Sequence, residues 1–184
     1  MLTRRTCLAS LGAAATVALA GCALGTPVSS DPARADPTSA AFDDGDALPA
    51  RYTCDGAGVS PPVSLDAPDD AETWALVVTD PDAPGGTFTH WLVWNLTDAL
   101  PEAVPHGETV GDGARQGLND FGARGYGAPC PPHGDGPHRY RFDAYALAGT
   151  LDVPLDVGRA ALVDACHDAD LLTVGSLRAT YERA

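Results

Sequence analysis

Two apolar segments that border on polar residues constrain this chain more than any other part of its sequence. Thr73–Thr79 and His90–Leu96 are rich in large apolar side chains, and each predicts a strand that is buried on both faces. The connection between them contains two prolines and two glycines, which exclude a helix and a continuous strand there. Asp80 and Asp82 follow the first segment, and His90 opens the second. The sequence therefore predicts carboxylates and an imidazole at one edge of a sheet.

A second histidine opens a later strand. His138 follows a long loop, Arg115–Gly136, which is rich in glycine and proline, and loops of this length in compact domains are usually functional. Apolar and polar residues then alternate through Leu147, the pattern of a strand. By the same alternation Arg139 points away from His138, so we expect it to pair with an aspartate outside or beside the pocket.

These polar residues indicate a functional site only if they lie close together, because each one alone has an ordinary structural role. Asp80 and Asp82 are typical of turns, and a single histidine such as His90 is more often bonded to a carbonyl group in the core. We expect Asp80, Asp82, His90 and His138 to share one pocket. Such a pocket offers donors, acceptors and a group that titrates between pH 5 and 8.

The remaining patterns predict a mainly β domain. Phe42 and Leu48 indicate a short first strand or edge segment, and Thr97–Gly113 is polar and lacks helical periodicity. Arg159–Ala169 carries an apolar stripe with helical spacing, and Leu171–Glu182 predicts a last strand. We expect a two-sheet β-sandwich with this one late helix packed at one end.

Composition restricts the possible partners. The chain has 184 residues, and 25 acidic residues against 11 arginines, with no lysine, give a formal net charge of -14. This charge repels nucleic acids and anionic membrane surfaces, so we expect no nucleic-acid partner. An acidic chain without lysine is also what we expect of a protein that works in high salt, where charge repulsion is screened.

The N-terminus has the features of an export signal. Arg4 and Arg5 precede the apolar run Leu8–Ala20, which is short for a bilayer span, and the run ends in Leu-Ala-Gly followed by Cys22. This order predicts a twin-arginine signal peptide with a lipobox over residues 1–22 and a lipid on Cys22. An uncleaved anchor helix is the alternative. Residues 23–40 are small, polar and proline-rich and predict a flexible tether, which leaves a domain at 41–184 on the outer face of the membrane.

Several motifs in fixed order resemble one family. D-P-D-A-P, H-W-L-V-W-N, N-D-F-G, G-Y-G-A-P-C-P-P and G-P-H-R-Y resemble the phosphatidylethanolamine-binding proteins, and more narrowly their bacterial and archaeal YbhB/YbcL branch, which is called Raf kinase inhibitor-like. The resemblance implies a β-sandwich whose small pocket accepts phosphate, acetate or phospholipid head groups. It implies no cofactor. Matched motif to motif, the implied pocket residues are Asp80, Ala83, His90, Pro132, His138 and Tyr140, with Cys130 where animal members have a glycine.

The resemblance also suggests how the cysteines pair. Cys7 lies in the signal and Cys22 is the lipidation site, so Cys54, Cys130 and Cys166 remain in the domain. The family motifs place the loops of Cys54 and Cys130 at the functional end, and an exported domain permits disulfides, so this pair is preferred. Cys166 then stays in the helix as a small buried residue. Sequence alone leaves the pairing open.

Three functions remain open from the sequence. The first is a surface-anchored binding protein for a small anion or phospholipid head group. The second is a metal-dependent enzyme that uses Asp80, His90 and His138, because two imidazoles and a carboxylate can hold one metal ion. The third is an inhibitor or interaction module for another surface protein, with Arg115–Gly136 as its contact surface. A serine hydrolase is disfavoured because the G-x-S-x-G motif is absent.

Overall fold

Most of the domain is built on one antiparallel sheet. The computed structural model describes residues 35–111 and 113–183. The strands in this part are β1 (Pro37–Thr38), β2 (Ser64–Leu65), β3 (Thr73–Asp80), β4 (Phe88–Leu96), β5 (Thr109–Val110), β6 (Ala114–Gln116), β7 (His138–Leu147) and β8 (Leu171–Tyr181). The large sheet has the order β5-β6-β4-β3-β7-β8, and β1 and β2 form a separate small sheet.

The central strand β3 is buried on both faces, as its continuous apolar run predicts. Trp74, Leu76 and Val78 point into one hydrophobic cluster, whereas Ala75 and Val77 point into a second cluster on the opposite face of the sheet. All eight residues of the strand are buried. The large sheet therefore separates two cores, and the site described below lies at one of its ends.

The two cores are covered in different ways. On the first face, loop residues such as Phe42 and Leu48 and the small sheet cover the strands. On the second face, the helix α1 (Arg159–Asp168) packs through Leu162 and Cys166. The mainly β class, the two sheets and the single late helix within the described residues are confirmed. In the same part of the chain, no helix is long and apolar enough to cross a bilayer.

Strand positions differ from expectation in three places. Phe42 and Leu48 are core residues of an irregular segment instead of a strand. The loop that was expected to begin at Arg115 begins at Gly117, because Arg115 and Gln116 belong to β6 and pair with β4. β5 lies within the segment that showed no periodicity, since two-residue strands leave no pattern to detect.

The N-terminal edge of the domain lies earlier than residue 41. Residues 35–40 were expected in the tether, but Pro37–Thr38 pair with β2 and Ala35 is buried. Gly175 of β8 makes this possible, because a side chain there would overlap the carbonyl group of Ala35. The expected signal peptide, the lipidation site Cys22 and the rest of the tether, residues 23–34, lie outside the described residues.

Candidate functional site

The end of β3 and the start of β7 bring Asp80 and His138 together. The two strands are antiparallel neighbours, so the C-terminal end of one lies beside the N-terminal end of the other. The Nδ1 atom of His138 lies 2.7 Å from Oδ2 of Asp80. Oδ1 of Asp80 accepts the backbone N–H of Asp82 at 2.9 Å. Both oxygens of this buried carboxylate therefore have donors, which is the condition for burying a charge at acceptable cost.

His138 is placed between two carboxylates. Its Nε2 atom lies 3.3 Å from Oδ2 of Asp135, whose side chain is about half exposed. Carboxylate oxygens only accept hydrogen bonds, so both contacts are satisfied at once by the doubly protonated ring. Burial by itself lowers the pKa of His138, but the hydrogen bonds and charges of Asp80 and Asp135 outweigh it and raise the pKa above its usual value. The two carboxylates therefore favour the positively charged form of His138.

His90 reaches the site from a β-bulge in β4. Val78 pairs with Trp91, but the next residue, Thr79, pairs with Thr89, which leaves His90 as an extra residue on its strand. Its Nδ1 atom lies 2.6 Å from the carbonyl oxygen of Gly127. A carbonyl oxygen only accepts, so Nδ1 carries the proton.

Burial keeps the His90 ring neutral. It lowers the pKa of His90, and the bond to Gly127 and the charge of Asp80 offset this only in part. In the neutral ring Nε2 has no proton and acts as an acceptor. The two histidines of the site thus differ: the neighbouring carboxylates favour the charged form of His138, whereas burial favours the neutral form of His90, whose Nε2 offers a lone pair.

A cavity of about 300 Å³ opens above these groups. Its lining has a polar part and an apolar part. The polar part is formed by Asp80, His90 and His138, and the remainder by Ala83, Pro84, Phe88, Phe121, Cys130, Pro131 and Pro132. Of the residues expected in the pocket from sequence, Asp80, Ala83, His90, Cys130, Pro132 and His138 line it.

Tyr140 lies behind the cavity wall. Its ring contacts the ring of His90 edge-on, with the centroids 5.4 Å apart, and is fully buried. Burial and then the nearby Asp80 carboxylate raise the pKa of Tyr140 far above its usual value. The two groups nevertheless lack hydrogen-bond geometry, and the Tyr140 hydroxyl has no partner among the described residues. A buried hydroxyl without a partner is costly, and ligand sites are a common reason for retaining one.

Asp82 does not line the cavity, although it was expected there. Its carboxylate accepts the backbone N–H of Arg139 at 2.9 Å and the side-chain Nε at 2.8 Å. Arg139 lowers the pKa of Asp82 to about 2. Strand alternation ends at Asp80, so a residue two positions further on need not face the same side. The expectation that Arg139 pairs with an aspartate beside the pocket is confirmed.

A larger groove of about 850 Å³ runs along the exposed side of β7 and β8. Arg139, Arg141 and Arg178 line it, but each guanidinium group is paired with an aspartate. Little positive charge is left for a ligand. The smaller cavity, with its buried polar groups, is therefore the better candidate site.

A disulfide bond supports the wall of the cavity. Cys54 and Cys130 are joined, which is the pairing preferred from sequence. The backbone N–H of Cys54 also donates to the carbonyl oxygen of Pro129 at 3.0 Å. Cys166 is free and fully buried in α1, and burial raises its pKa to about 12, so its thiol stays protonated.

Sequence reasoning missed the aromatic wall and Asp135. Phe88 precedes His90 by two residues, so strand alternation could have placed both rings on one face. Phe121 and Asp135 belong to the long loop, where no periodicity relates a residue to the site. The N-D-F-G motif drew attention to Phe121 only as part of the family resemblance.

The geometry gives no support to a metal centre. In residues 35–111 and 113–183, no group of three or more His, Cys, Asp or Glu side chains is arranged to hold a metal ion. The three residues Asp80, His90 and His138 do not form one set of metal ligands, because Nδ1 of His138 is bonded to the carboxylate of Asp80. Asp80 and His138 bind each other instead of presenting free electron pairs to one point.

Comparison with known proteins identifies the fold and the family. The family model named phosphatidylethanolamine-binding protein matches residues 38–182, almost all of the described domain. The chain belongs to this family. Its expected membership of the YbhB/YbcL branch is supported by the crystal structure of Escherichia coli YbcL, reported as a new member of the mammalian PEBP family. That structure has a TM-score of 0.74 and 30% identity, and the match covers 83% of this chain and all of YbcL.

Other members of the phosphatidylethanolamine-binding protein family are as similar. The structure of CT736 from Chlamydia trachomatis, a candidate homologue, has a TM-score of 0.73 and 38% identity, and the match covers 82% of this chain and 99% of CT736. A UPF0098 protein of Pyrococcus horikoshii is 39% identical over 150 residues, which are 79% of this chain and 75% of that protein.

One relative of this PEBP-family chain is named as a candidate lipoprotein. LppC of Mycobacterium tuberculosis is 38% identical over 169 residues, and the match covers 82% of this chain and 83% of LppC. Its name suggests that export occurs among relatives of this chain.

Proposed function

We propose that this chain is a surface-anchored binding protein whose cavity takes a small anion, the phosphate or carboxylate group of a phospholipid head group included. The observation that carries the proposal is the buried ring of His138 at the floor of the cavity, held between the carboxylates of Asp80 and Asp135. In a chain with a net charge of -14, an anion needs a local positive group to enter. His138 supplies that group, and membership of the phosphatidylethanolamine-binding protein family supports the same ligand class.

The polar groups of the cavity suit a protonated anion. His138 can donate through Nε2 once Asp135 moves aside, and Asp135 is exposed enough to do so. The Tyr140 hydroxyl has no partner among the described residues, but it lies behind the cavity wall and is not counted as a donor to the ligand. His90 Nε2 is an acceptor and suits the O–H of a monoprotonated phosphate or of a carboxylic acid. The cavity therefore offers a donor from His138 and an acceptor from His90 to one small group.

Calorimetric titration with inorganic phosphate and acetate tests this function. The chain with Cys22→Ser, which no lipid can modify, is titrated in high salt at pH values from 5 to 8. Affinity should strengthen as the pH falls, because protonation of His138 adds the positive charge that an anion needs. An affinity that is independent of pH over this range would refute the electrostatic basis of the proposal.

Two histidine variants make the test specific to the cavity. His138→Asn should abolish binding, because it removes the only titratable donor of the site that carries charge. His167→Asn is the matched control, since His167 is exposed on α1, outside the residues that line the cavity. Equal binding by both variants would mean that the anion site lies elsewhere.

The proposed location is the outer face of the cell membrane. The twin arginines, the apolar run and the Leu-Ala-Gly-Cys sequence support a cleaved signal at residues 1–22, with the lipid on Cys22 and residues 23–34 as a tether. The name of the relative LppC supports the same location. Cys22→Ser should move the exported protein from the membrane to the soluble fraction, whereas Cys7→Ser should leave it on the membrane. Retention of the Cys22→Ser protein would point to an uncleaved anchor.

A further inference from the structure

The bulge in β4 is held by the loop segment Asn119–Gly127, which we call the brace. Two consecutive residues of β4, Thr89 and His90, each exchange a pair of hydrogen bonds with one residue of the brace. In a regular antiparallel ladder, both bonds of such a pair join backbone groups. In each of these two pairs a side chain replaces one backbone group, at the point where the bulge interrupts the regular register.

Asp120 supplies the pair of bonds to Thr89. Its Oδ2 atom accepts the backbone N–H of Thr89 at 2.6 Å, and its own backbone N–H donates to the carbonyl oxygen of Thr89 at 3.0 Å. A charged acceptor gives a stronger hydrogen bond than a neutral one. Thr89 is only 2% exposed, so its N–H has little access to water if the carboxylate is removed. The carboxylate of Asp120 therefore fastens the brace to the strand.

Gly127 supplies the pair of bonds to His90. Its backbone N–H donates to the carbonyl oxygen of His90 at 2.8 Å, and its own carbonyl oxygen lies 2.6 Å from the ring atom Nδ1. The second of these bonds decides which nitrogen of the neutral ring carries the proton. As long as Gly127 keeps its place, the proton stays on Nδ1 and the lone pair of Nε2 is available in the cavity.

The two ends of the brace are packed against each other. A Cβ atom at Gly127 would come within 2.5 Å of the Phe121 ring and within 3.1 Å of the Asn119 side chain. Asn119 is buried and closes the turn, because its Oδ1 atom accepts the backbone N–H groups of Phe121 and Ala123 at 3.0 and 3.1 Å. The brace is therefore one packed unit, and a displacement at Asp120 is passed on to Gly127.

We propose that Asp120 is a positioning residue: its carboxylate fixes the brace on Thr89, and the brace fixes the ring of His90 with an unprotonated Nε2 atom in the cavity. Asp120 is not among the residues that line the cavity, so it acts through His90. Without the carboxylate the brace is released, and the ring can take its proton on Nε2 instead. The effect on the ring needs no ligand, whereas the effect on binding rests on the proposed anion-binding function.

Nitrogen NMR of the histidine rings tests the role of Asp120 without a ligand. At about pH 7, where burial keeps the His90 ring neutral, the Cys22→Ser protein should carry the His90 proton on Nδ1. Asp120→Ala should move a large part of the population to the Nε2–H form. Asp152→Ala removes the same charge at an exposed position away from the cavity and should leave His90 unchanged. An unchanged His90 ring in Asp120→Ala, or a change that the exposed ring of His167 shares, would overturn the proposal.

The conservative variant Asp120→Asn keeps an acceptor oxygen and should restore the arrangement. Its His90 ring should keep the proton on Nδ1, as in the parent protein. The amide oxygen is a weaker acceptor than a carboxylate, so the Thr89 N–H should exchange with solvent roughly tenfold faster. This measurement decides the matter even where Asp120→Ala does not fold. Unchanged exchange at Thr89, or a His90 ring in the Nε2–H form, would overturn the proposal.

Calorimetric titration with inorganic phosphate at about pH 7 measures the consequence for binding. Asp120→Ala should bind phosphate roughly tenfold more weakly than the parent protein, the effect of one lost hydrogen bond from the ligand to His90. Asp120→Asn and Asp152→Ala should stay within about twofold of the parent. Parental affinity in Asp120→Ala, although its His90 ring has changed, would overturn the positioning role. Absence of phosphate binding by the parent protein would instead overturn the proposed function, and the ring measurements would still decide the role of Asp120.

Discussion

The imidazole of His138 and the carboxylate of Asp80 form a buried pair, with Nδ1 and Oδ2 2.7 Å apart and both side chains less than 5% exposed. A charged pair with so little solvent contact interacts more strongly than a surface pair, and each partner depends on the other to remain charged. The pair therefore sets both the charge of the cavity and the pH at which that charge appears.

The first prediction concerns the pKa of His138. The bonds to Asp80 and Asp135 raise it, so NMR titration should give a value above about 6.5, the value for a free histidine. Asp80→Asn keeps the shape of the side chain and removes the charge, so the pKa of His138 should fall. A His138 pKa that does not respond to Asp80→Asn would contradict the pairing.

The same shift has a consequence for stability. A raised folded-state pKa means that the pair contributes its full stabilisation below about pH 6.5 and loses it as the pH rises through the folded-state pKa. The loss of unfolding free energy caused by Asp80→Asn, about 1–3 kcal/mol for a hydrogen bond to a charged group, should therefore be larger at pH 5.5 than at pH 9. Denaturant unfolding of both proteins at the two pH values measures this difference.

The second prediction is that Asp135 competes with the ligand. Its carboxylate lies 3.3 Å from His138 Nε2, where an incoming anion would bind. Asp135→Asn should strengthen phosphate binding by up to roughly fivefold, the upper end expected for removing an exposed ion pair. The measurement is made at pH 5.5, because loss of Asp135 also lowers the pKa of His138. Asp152→Asn controls for net charge, since Asp152 is exposed and not among the cavity residues. If Asp135→Asn bound phosphate more weakly than this control, Asp135 would not compete with the ligand for His138.

The third prediction separates stability from binding at Tyr140. Its buried hydroxyl has no partner among the described residues, so Tyr140→Phe should leave the free energy of unfolding unchanged or raise it by up to about 1 kcal/mol. Phosphate affinity should change by less than about twofold, because the hydroxyl lies behind the cavity wall and does not line the cavity. Tyr126→Phe is the control: the Tyr126 hydroxyl donates to the carbonyl oxygen of Tyr52 at 2.8 Å, and its loss should cost about 1–2 kcal/mol. A destabilised Tyr140→Phe protein would mean that the hydroxyl has a partner, and a large loss of phosphate affinity would mean that it reaches the ligand.

Strong periodic signals made part of this fold predictable. The apolar runs and the alternating segment placed β3, β4, β7 and β8 within two residues of their observed ends, and the apolar stripe placed α1. The convergence of Asp80 and His138 was expected because both lie at strand ends, but that β3 and β7 are antiparallel neighbours is known only from the structure. The motifs supplied the rest of the expected lining, and most of it faces the cavity.

The features that were missed or misplaced depend on irregular backbone. His90 was expected in the cavity, but the bulge that brings it there was not, because no sequence pattern specifies a one-residue shift of register. Asp82 lies beyond the end of its strand, where alternation no longer relates it to Asp80. Phe121 and Asp135 are brought to the site by a long loop whose path is set by specific bonds, such as those of Asn119. Such bonds can be recognised only once the two partners are known to be close.

The fourth prediction concerns the disulfide. Replacing Cys54 and Cys130 together by serine should lower the free energy of unfolding by about 2–4 kcal/mol, the usual effect of losing a disulfide. Because Cys130 lines the cavity, the double variant should also bind phosphate less tightly. Peptide mapping with and without reductant identifies the linked peptides. A linked peptide that contains Cys166, which is buried and free in the structure, would contradict the pairing.

The last prediction tests how the N-terminal edge of the domain is held. Gly175 in the middle of β8 lets the backbone at Ala35 approach so closely that a Cβ atom would overlap its carbonyl oxygen. A glycine within a strand indicates such an approach but does not say which segment makes it. The six residues 35–40 were therefore assigned to the tether, although residues 35, 37 and 38 belong to the folded domain. Gly175→Ala should therefore cost about 1–3 kcal/mol, the range for inserting a group into a packed site.

A second glycine gives this experiment its control. Gly149 has no atom within 4 Å of the position of an added Cβ and does not have a positive φ angle, so Gly149→Ala should change the free energy of unfolding little or raise it slightly. Denaturant unfolding of the two variants beside the parent protein measures the difference. If both alanines had the same small effect, residues 35–38 would not be packed on β8, and the domain would begin near residue 41 as its composition suggested. A selective loss at Gly175 instead means that the segment next to the proposed membrane tether is part of the fold, so the cavity is held at a fixed distance from the end of that segment.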